Sequence, residues 1–171
     1  NNGEWQDIFK DVVMATHYVD NLSSRFNLDT RNVILTGHSS GGHLVLWLAH
    51  QEKLINKSKT MQVKAVVSLA PLTDLAEVAR NDTLPCHQTV EGLMGGPLSK
   101  YPQRYKEASP IHMSNTGLEL IVVNGKQDSP GFYKQFVDYR ENMSKRGHEI
   151  RHIEVQPSGH FEMITPGTTA W

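Results

Sequence analysis

Four short apolar runs give this chain its frame, and segments of a different period separate them. Val33-Ile34-Leu35 within 32–36, Val63–Ala70, Leu118–Val123 and His148–Val155 are rich in β-branched residues. All four are too short for buried helices, so each reads as a strand. Around them, apolar side chains recur at three-to-four spacing. Trp5, Ile8, Phe9, Val12, Tyr18, Val19, Leu22 and Phe26 predict an amphipathic helix over residues 5–26. Leu44, Val45, Leu48 and Ala49 predict a second, from about Gly42 to Leu54. Phe132, Phe136, Tyr139, Arg140 and Met143 mark a third, with Ser129 as N-cap, Pro130 at the first helical position and Gly147 as the stop. Residues 27–30 form an Asn/Asp turn, and 56–60 form a polar loop.

Strands alternating with helices predict an α/β fold, a mainly parallel sheet flanked by helices on both faces, in a single domain over residues 1–171. Residues 71–115 break the rhythm. They hold five prolines, with short helices expected near Leu75–Arg80, Thr89–Met94 and Tyr101–Glu107. An irregular stretch of this length in a compact domain usually serves function, so a lid-like region at the mouth of a site is expected there.

Composition narrows the classes. With 171 residues and a net charge of −1, the chain has room for a core and no basic footprint for nucleic acid or a membrane surface. Its longest apolar runs are far too short to span a bilayer. The one cysteine, Cys86, rules out an internal disulfide and fits a reducing, cytoplasmic setting. No His/Cys/Asp/Glu grouping has metal-ligand spacing, and the glycines at 41–42 and 95–96 form no phosphate loop, so neither metal nor cofactor is expected.

The chemistry concentrates at strand ends. Gly37-His38-Ser39-Ser40-Gly41 is a G-x-S-x-G motif between a strand and a helix, the setting of a nucleophile elbow. A serine on so sharp a turn needs small neighbours, which the glycines two before and two after supply. The turn lifts the Ser39 hydroxyl above the sheet edge, and the Ser40 N–H, free at a helix start, can stabilise an oxyanion. A serine hydroxyl needs a base of near-neutral pKa, and that base needs an orienting carboxylate. Asp128 and His160 each fall just past a strand end, where parallel sheets carry their working residues. The order is Ser…Asp…His, with one helix and one strand between acid and histidine. Asp74 is the alternative acid, but its position favours the N-cap of a short helix. His38 and His43 flank the elbow and read as structural or rim residues. His50, His87, His112, His148 and His152 lack a matching acid, and Cys86 reads as a lid or core residue.

These residues resemble a known family. Gly37–Leu44, Ala70-Pro71 followed by Thr73-Asp74-Leu75, Met94–Pro97, Tyr105 to Ser109-Pro110, Asn124–Asp128 and His160-Phe161 are similar to segments of the small α/β-hydrolase esterases. That group includes feruloyl and acetyl-xylan esterases and kynurenine formamidase. The resemblance covers nearly the whole chain. It implies Ser39 as nucleophile, Asp128 as acid and His160 as base, acting on carboxylic esters or, in the formamidase branch, N-formyl amides. Arylformamidase and serine peptidase remain alternatives of the same fold. A non-catalytic binding protein is the alternative of another class.

Two departures set further expectations. The family's His-Gly-Gly oxyanion loop, which lies well before the elbow, has no counterpart ahead of Ser39, and the chain ends at Trp171 where the family continues into a final helix. The sequence therefore looks like the C-terminal portion of the fold. The strand at 32–36 would then be an unprotected edge, prone to aggregation.

Overall fold

In the computed structural model, which describes residues 4–55, 60–82, 84 and 86–171, the four expected strands form one parallel sheet in the order β1-β2-β3-β4. They are β1 (Val33–His38), β2 (Val63–Leu69), β3 (Glu119–Gly125) and β4 (Arg151–Val155). The helices are α1 (Asp7–Phe26), α2 (Ser40–Ala49), α3 (Glu52–Ile55), α4 (Leu75–Arg80), α5 (His87–Met94), α6 (Pro102–Ala108) and α7 (Pro130–Lys145). Most of the polar loop expected at 56–60 lies outside the described residues.

Local chemistry fixes the boundaries. Asn27 closes α1 in the left-handed conformation at φ 51°, which Asn tolerates better than most residues. The Ser129 hydroxyl accepts from Phe132 N and caps α7, with Pro130 at its start. Past α7, Gly147 sits at φ +77° and the His148 N–H bonds back to Met143. That closure occupies residues 146–148, so β4 begins three residues later than the apolar run predicts. The second helix breaks at His50-Gln51 into α2 and α3. There the His50 ring turns inward between the Ser114 carbonyl (2.6 Å) and the Tyr139 hydroxyl (2.8 Å).

The main core lies between one sheet face and the helices. Val66, Leu120 and Val122 meet Leu46, Leu48 and Ala49 of α2 and Phe136, Tyr139 and Met143 of α7. A second cluster joins Phe9, Leu75, Val78, Met94, Tyr105 and Phe132, so the 71–115 region packs against α1 and α7.

The opposite sheet face carries Ile34, Thr36, Val67, Leu69, Ile121, Val123 and Ile153, in register across the strands. None of these side chains belongs to either buried cluster. Ile34, on the edge strand, is 60% exposed and Ile153 is 39% exposed. Among the described residues the sheet is thus covered by helices on one face, where the alternation of elements predicts two. No described helix is long and apolar enough to cross a membrane.

Candidate active site

The turn between β1 and α2 holds Ser39 at φ 55°, ψ −115°, a conformation that costs a non-glycine residue about 1–3 kcal/mol and persists only where neighbours enforce it. Here the Ser39 N–H donates to the Leu69 carbonyl (2.9 Å) and its carbonyl accepts from the His43 N–H (2.9 Å). Gly37 makes the turn possible, since a Cβ there would stand 2.3 Å from the Gly41 carbonyl oxygen. Gly42 lets α2 lie against β2, since a Cβ would meet Ser68 Oγ at 2.8 Å and the Leu69 carbonyl at 3.0 Å. At Gly41 a Cβ would face open space. The residue two before the serine must therefore be small, whereas the one two after it contributes only backbone. Ser40 opens α2, so its N–H has no partner within the helix.

Asp128 follows β3 in a turn whose own N–H bonds back to Gly125 (3.2 Å). Its carboxylate is almost wholly buried and uses both oxygens. Oδ1 accepts from the Ser129 N–H (2.6 Å), and Oδ2 accepts from His160 Nδ1 (2.8 Å). A carboxylate only accepts, so Nδ1 carries the proton and a neutral His160 keeps Nε2 as acceptor. The loop beyond β4 is strapped to the acid turn by Gln127 N to Ser158 O (2.8 Å) and Lys126 N to Val155 O (3.0 Å). Three rings surround the His160 imidazole: His38 at 4.8 Å, Phe161 at 4.9 Å and Phe132 at 5.2 Å between centroids.

Acid and histidine are therefore brought together. Ser39 and His160 do not hydrogen-bond, although His38, next to Ser39, donates from Nε2 to the His160 carbonyl (2.6 Å). The sequence gives no sign of that contact, because it joins residues that follow opposite edges of the sheet.

The remaining candidates take structural places. Asp74 Oδ1 accepts from the N–H groups of Ala76 (2.9 Å) and Glu77 (3.1 Å), capping α4. The backbone of that turn is held by Gln135 of α7, whose Oε1 accepts from Thr73 N and Asp74 N. His43 is buried and bonds through Nδ1 to the Leu72 carbonyl (3.0 Å), with burial pushing its pKa down to about 4. His50 is pushed down to about 4 for the same reason. Cys86 is exposed at the start of α5, outside the core. No group of three or more His, Cys, Asp or Glu suited to a metal occurs among the described residues. A groove of about 910 Å³ between α1, α2 and α6, walled by Trp5, Phe9 and Trp47, is lined by none of Ser39, Asp128 and His160.

A parallel sheet with a strained serine after one strand and a bonded Asp–His pair after two others defines the α/β-hydrolase fold. Solved structures of that fold superpose on most of the chain. A truncated carbohydrate esterase from gut microbiota matches with a TM-score of 0.74 at 23% identity, over 89% of this chain and 60% of that one. A fungal esterase of Rhizomucor miehei matches at 0.74 and 15% identity, over 98% and 55%. The chain belongs to the BD-FAE family, whose model matches residues 1–143. It is also 27% identical over 134 residues to the kynurenine formamidase of Salmo salar, a match covering 76% of this chain and 42% of that protein. The chain thus spans less than two thirds of the length of these relatives.

Proposed function

We propose that this chain carries the nucleophile, acid and base of a serine hydrolase acting on small carboxylic esters. The observation that carries the reading is the His160–Asp128 hydrogen bond at 2.8 Å in a loop tied to the residue beside a strained Ser39. In the reaction, His160 Nε2 takes the Ser39 proton as the hydroxyl attacks the carbonyl carbon. The oxyanion is met by the Ser40 N–H at the start of α2. His160 then gives the proton to the leaving alcohol, leaving an acyl-enzyme. Water, activated by the same base, releases the acid and restores Ser39. Asp128 holds the imidazole in the required tautomer throughout. Every step is proton transfer or acyl transfer, and the Ser40 N–H supplies half of the oxyanion hole.

Likeness to the formamidase of Salmo salar favours a second reading, in which the acyl group is formyl and the leaving group an arylamine. The same residues would serve. Hydrolysis of p-nitrophenyl acetate and of N-formylkynurenine, by the chain and by Ser39→Ala, tests both. Turnover of either substrate that falls to the uncatalysed background in Ser39→Ala supports the mechanism, and the faster substrate names the branch. Turnover unchanged in Ser39→Ala overturns the mechanism, and no turnover of either substrate favours a binding role.

A further inference from the structure

Sheet order sets a problem that the Asp–His bond does not solve. The nucleophile follows β1 and the base follows β4, at opposite edges, with β2 and β3 between them. At the usual strand spacing the two strand ends stand about 14 Å apart. Asp128 follows β3, so its bond to His160 and the straps from residues 126–127 tie the base loop to the near half of the sheet only. The loop must still be held against the elbow. Among the described residues, one hydrogen bond joins residues 33–42 to residues 156–164. It runs from His38 Nε2 to the His160 carbonyl oxygen at 2.6 Å.

We infer that His38 is a positioning residue, which locks the backbone of the base to the strand that carries the nucleophile. The inference rests on the reading of Ser39 and His160 given above. His38 ends β1, and its ring lies 4.8 Å from that of His160 and 5.5 Å from that of Phe161. A carbonyl only accepts, so the bond requires the Nε2–H tautomer of His38. Asp128 fixes the imidazole through Nδ1 while His38 fixes the main chain of the same residue, and the two anchors approach from β3 and β1. With both in place, the direction in which His160 Nε2 points is set from two sides. Because His38 and Ser39 are consecutive, a displacement of the elbow carries both the nucleophile and the tether of its base.

The test compares His38→Phe, which keeps a ring and loses the donor, with His38→Gln, which keeps an N–H of similar reach. Ester turnover and the rate of Ser39 acylation by a fluorophosphonate are followed in both, with thermal melting as a check on folding. His38→Phe should lower kcat by about three- to tenfold with KM little changed, the worth of one hydrogen bond, and His38→Gln should recover most of it. Equal kcat in wild type and His38→Phe overturns the inference while leaving the serine-hydrolase reading intact. If the wild type itself fails to acylate, that reading falls, and the tether is judged by long-range ¹H–¹⁵N spectra of the histidine rings. There an Nε2–H tautomer of His38 sustains it, and an Nδ1–H tautomer overturns it.

Discussion

Gly125 passes beneath Gly159 so closely that a Cβ on Gly125 would stand 2.1 Å from the Gly159 carbonyl oxygen and 2.4 Å from that of Ser158. The loop bearing His160 is thereby laid directly on the strand end that leads to Asp128. Gly125→Ala should push the loop off the turn and part Asp128 from His160. A shift of about 1 Å in a catalytic group costs on the order of 10²-fold in rate. Ester turnover should fall by about that factor while the circular dichroism of the sheet is retained. Turnover unchanged in Gly125→Ala would show that the crossing does not govern the site.

The elbow glycines should respond unequally. In Gly37→Ala the new methyl meets the backbone of Gly41, which cannot yield without breaking the turn. Urea denaturation should show a loss of about 3 kcal/mol or more, at the upper end of overpacking costs. Gly41→Ala places its methyl in open space in the first turn of a helix. It should be neutral or gain about 0.5–1 kcal/mol, as Ala over Gly does in helices.

The uncovered sheet face should govern solution behaviour. Ile34, 60% exposed on an edge strand, shares the bare face with Val67 and Ile121. Such edges recruit other chains. Light scattering should show self-association of the 171-residue chain, reduced in Ile34→Lys. A monodisperse wild-type sample that melts cooperatively would contradict this.

Acid should weaken the fold before its carboxylates titrate. Burial lowers His43 and His50 from the ordinary histidine value of 6.5 to about 4. Below pH 6.5 the unfolded chain takes up protons that the folded chain refuses, so stability present at neutral pH is lost as pH falls from 6.5 towards 4. Each histidine contributes on the order of 3 kcal/mol to that loss. Urea midpoints measured across this window should fall steadily, and His50→Gln should make the slope shallower.

The strands and long helices were legible because each carries its own period and its own punctuation. Ser129-Pro130 and Gly147 mark both ends of α7 without reference to anything distant. The positions of Ser39, Asp128 and His160 at strand ends were legible for a related reason, and the structure joins Asp128 to His160. What stayed hidden depends on contacts between segments far apart in the chain. The need for glycine at 125 arises from residues 158–159, and the hydrogen bond of His38 reaches a loop 122 positions away. The bare face was equally silent, because Ile34, Ile121 and Ile153 are as apolar as the residues that the helices cover. The glycine at 41 misleads for the converse reason. It completes the motif, yet its Cβ position is open.

The proposed mechanism makes Ser39 a nucleophile activated by His160. It is tested most directly by incubating the folded chain with a fluorophosphonate and mapping the adduct by mass spectrometry in wild type, Ser39→Ala and His160→Gln. One adduct per chain, on Ser39, is expected. That adduct should be absent in Ser39→Ala and form at least about 10³-fold more slowly in His160→Gln, as expected when a triad loses its base. An unlabelled Ser39 in the folded wild type, or equal labelling rates with and without His160, would contradict it.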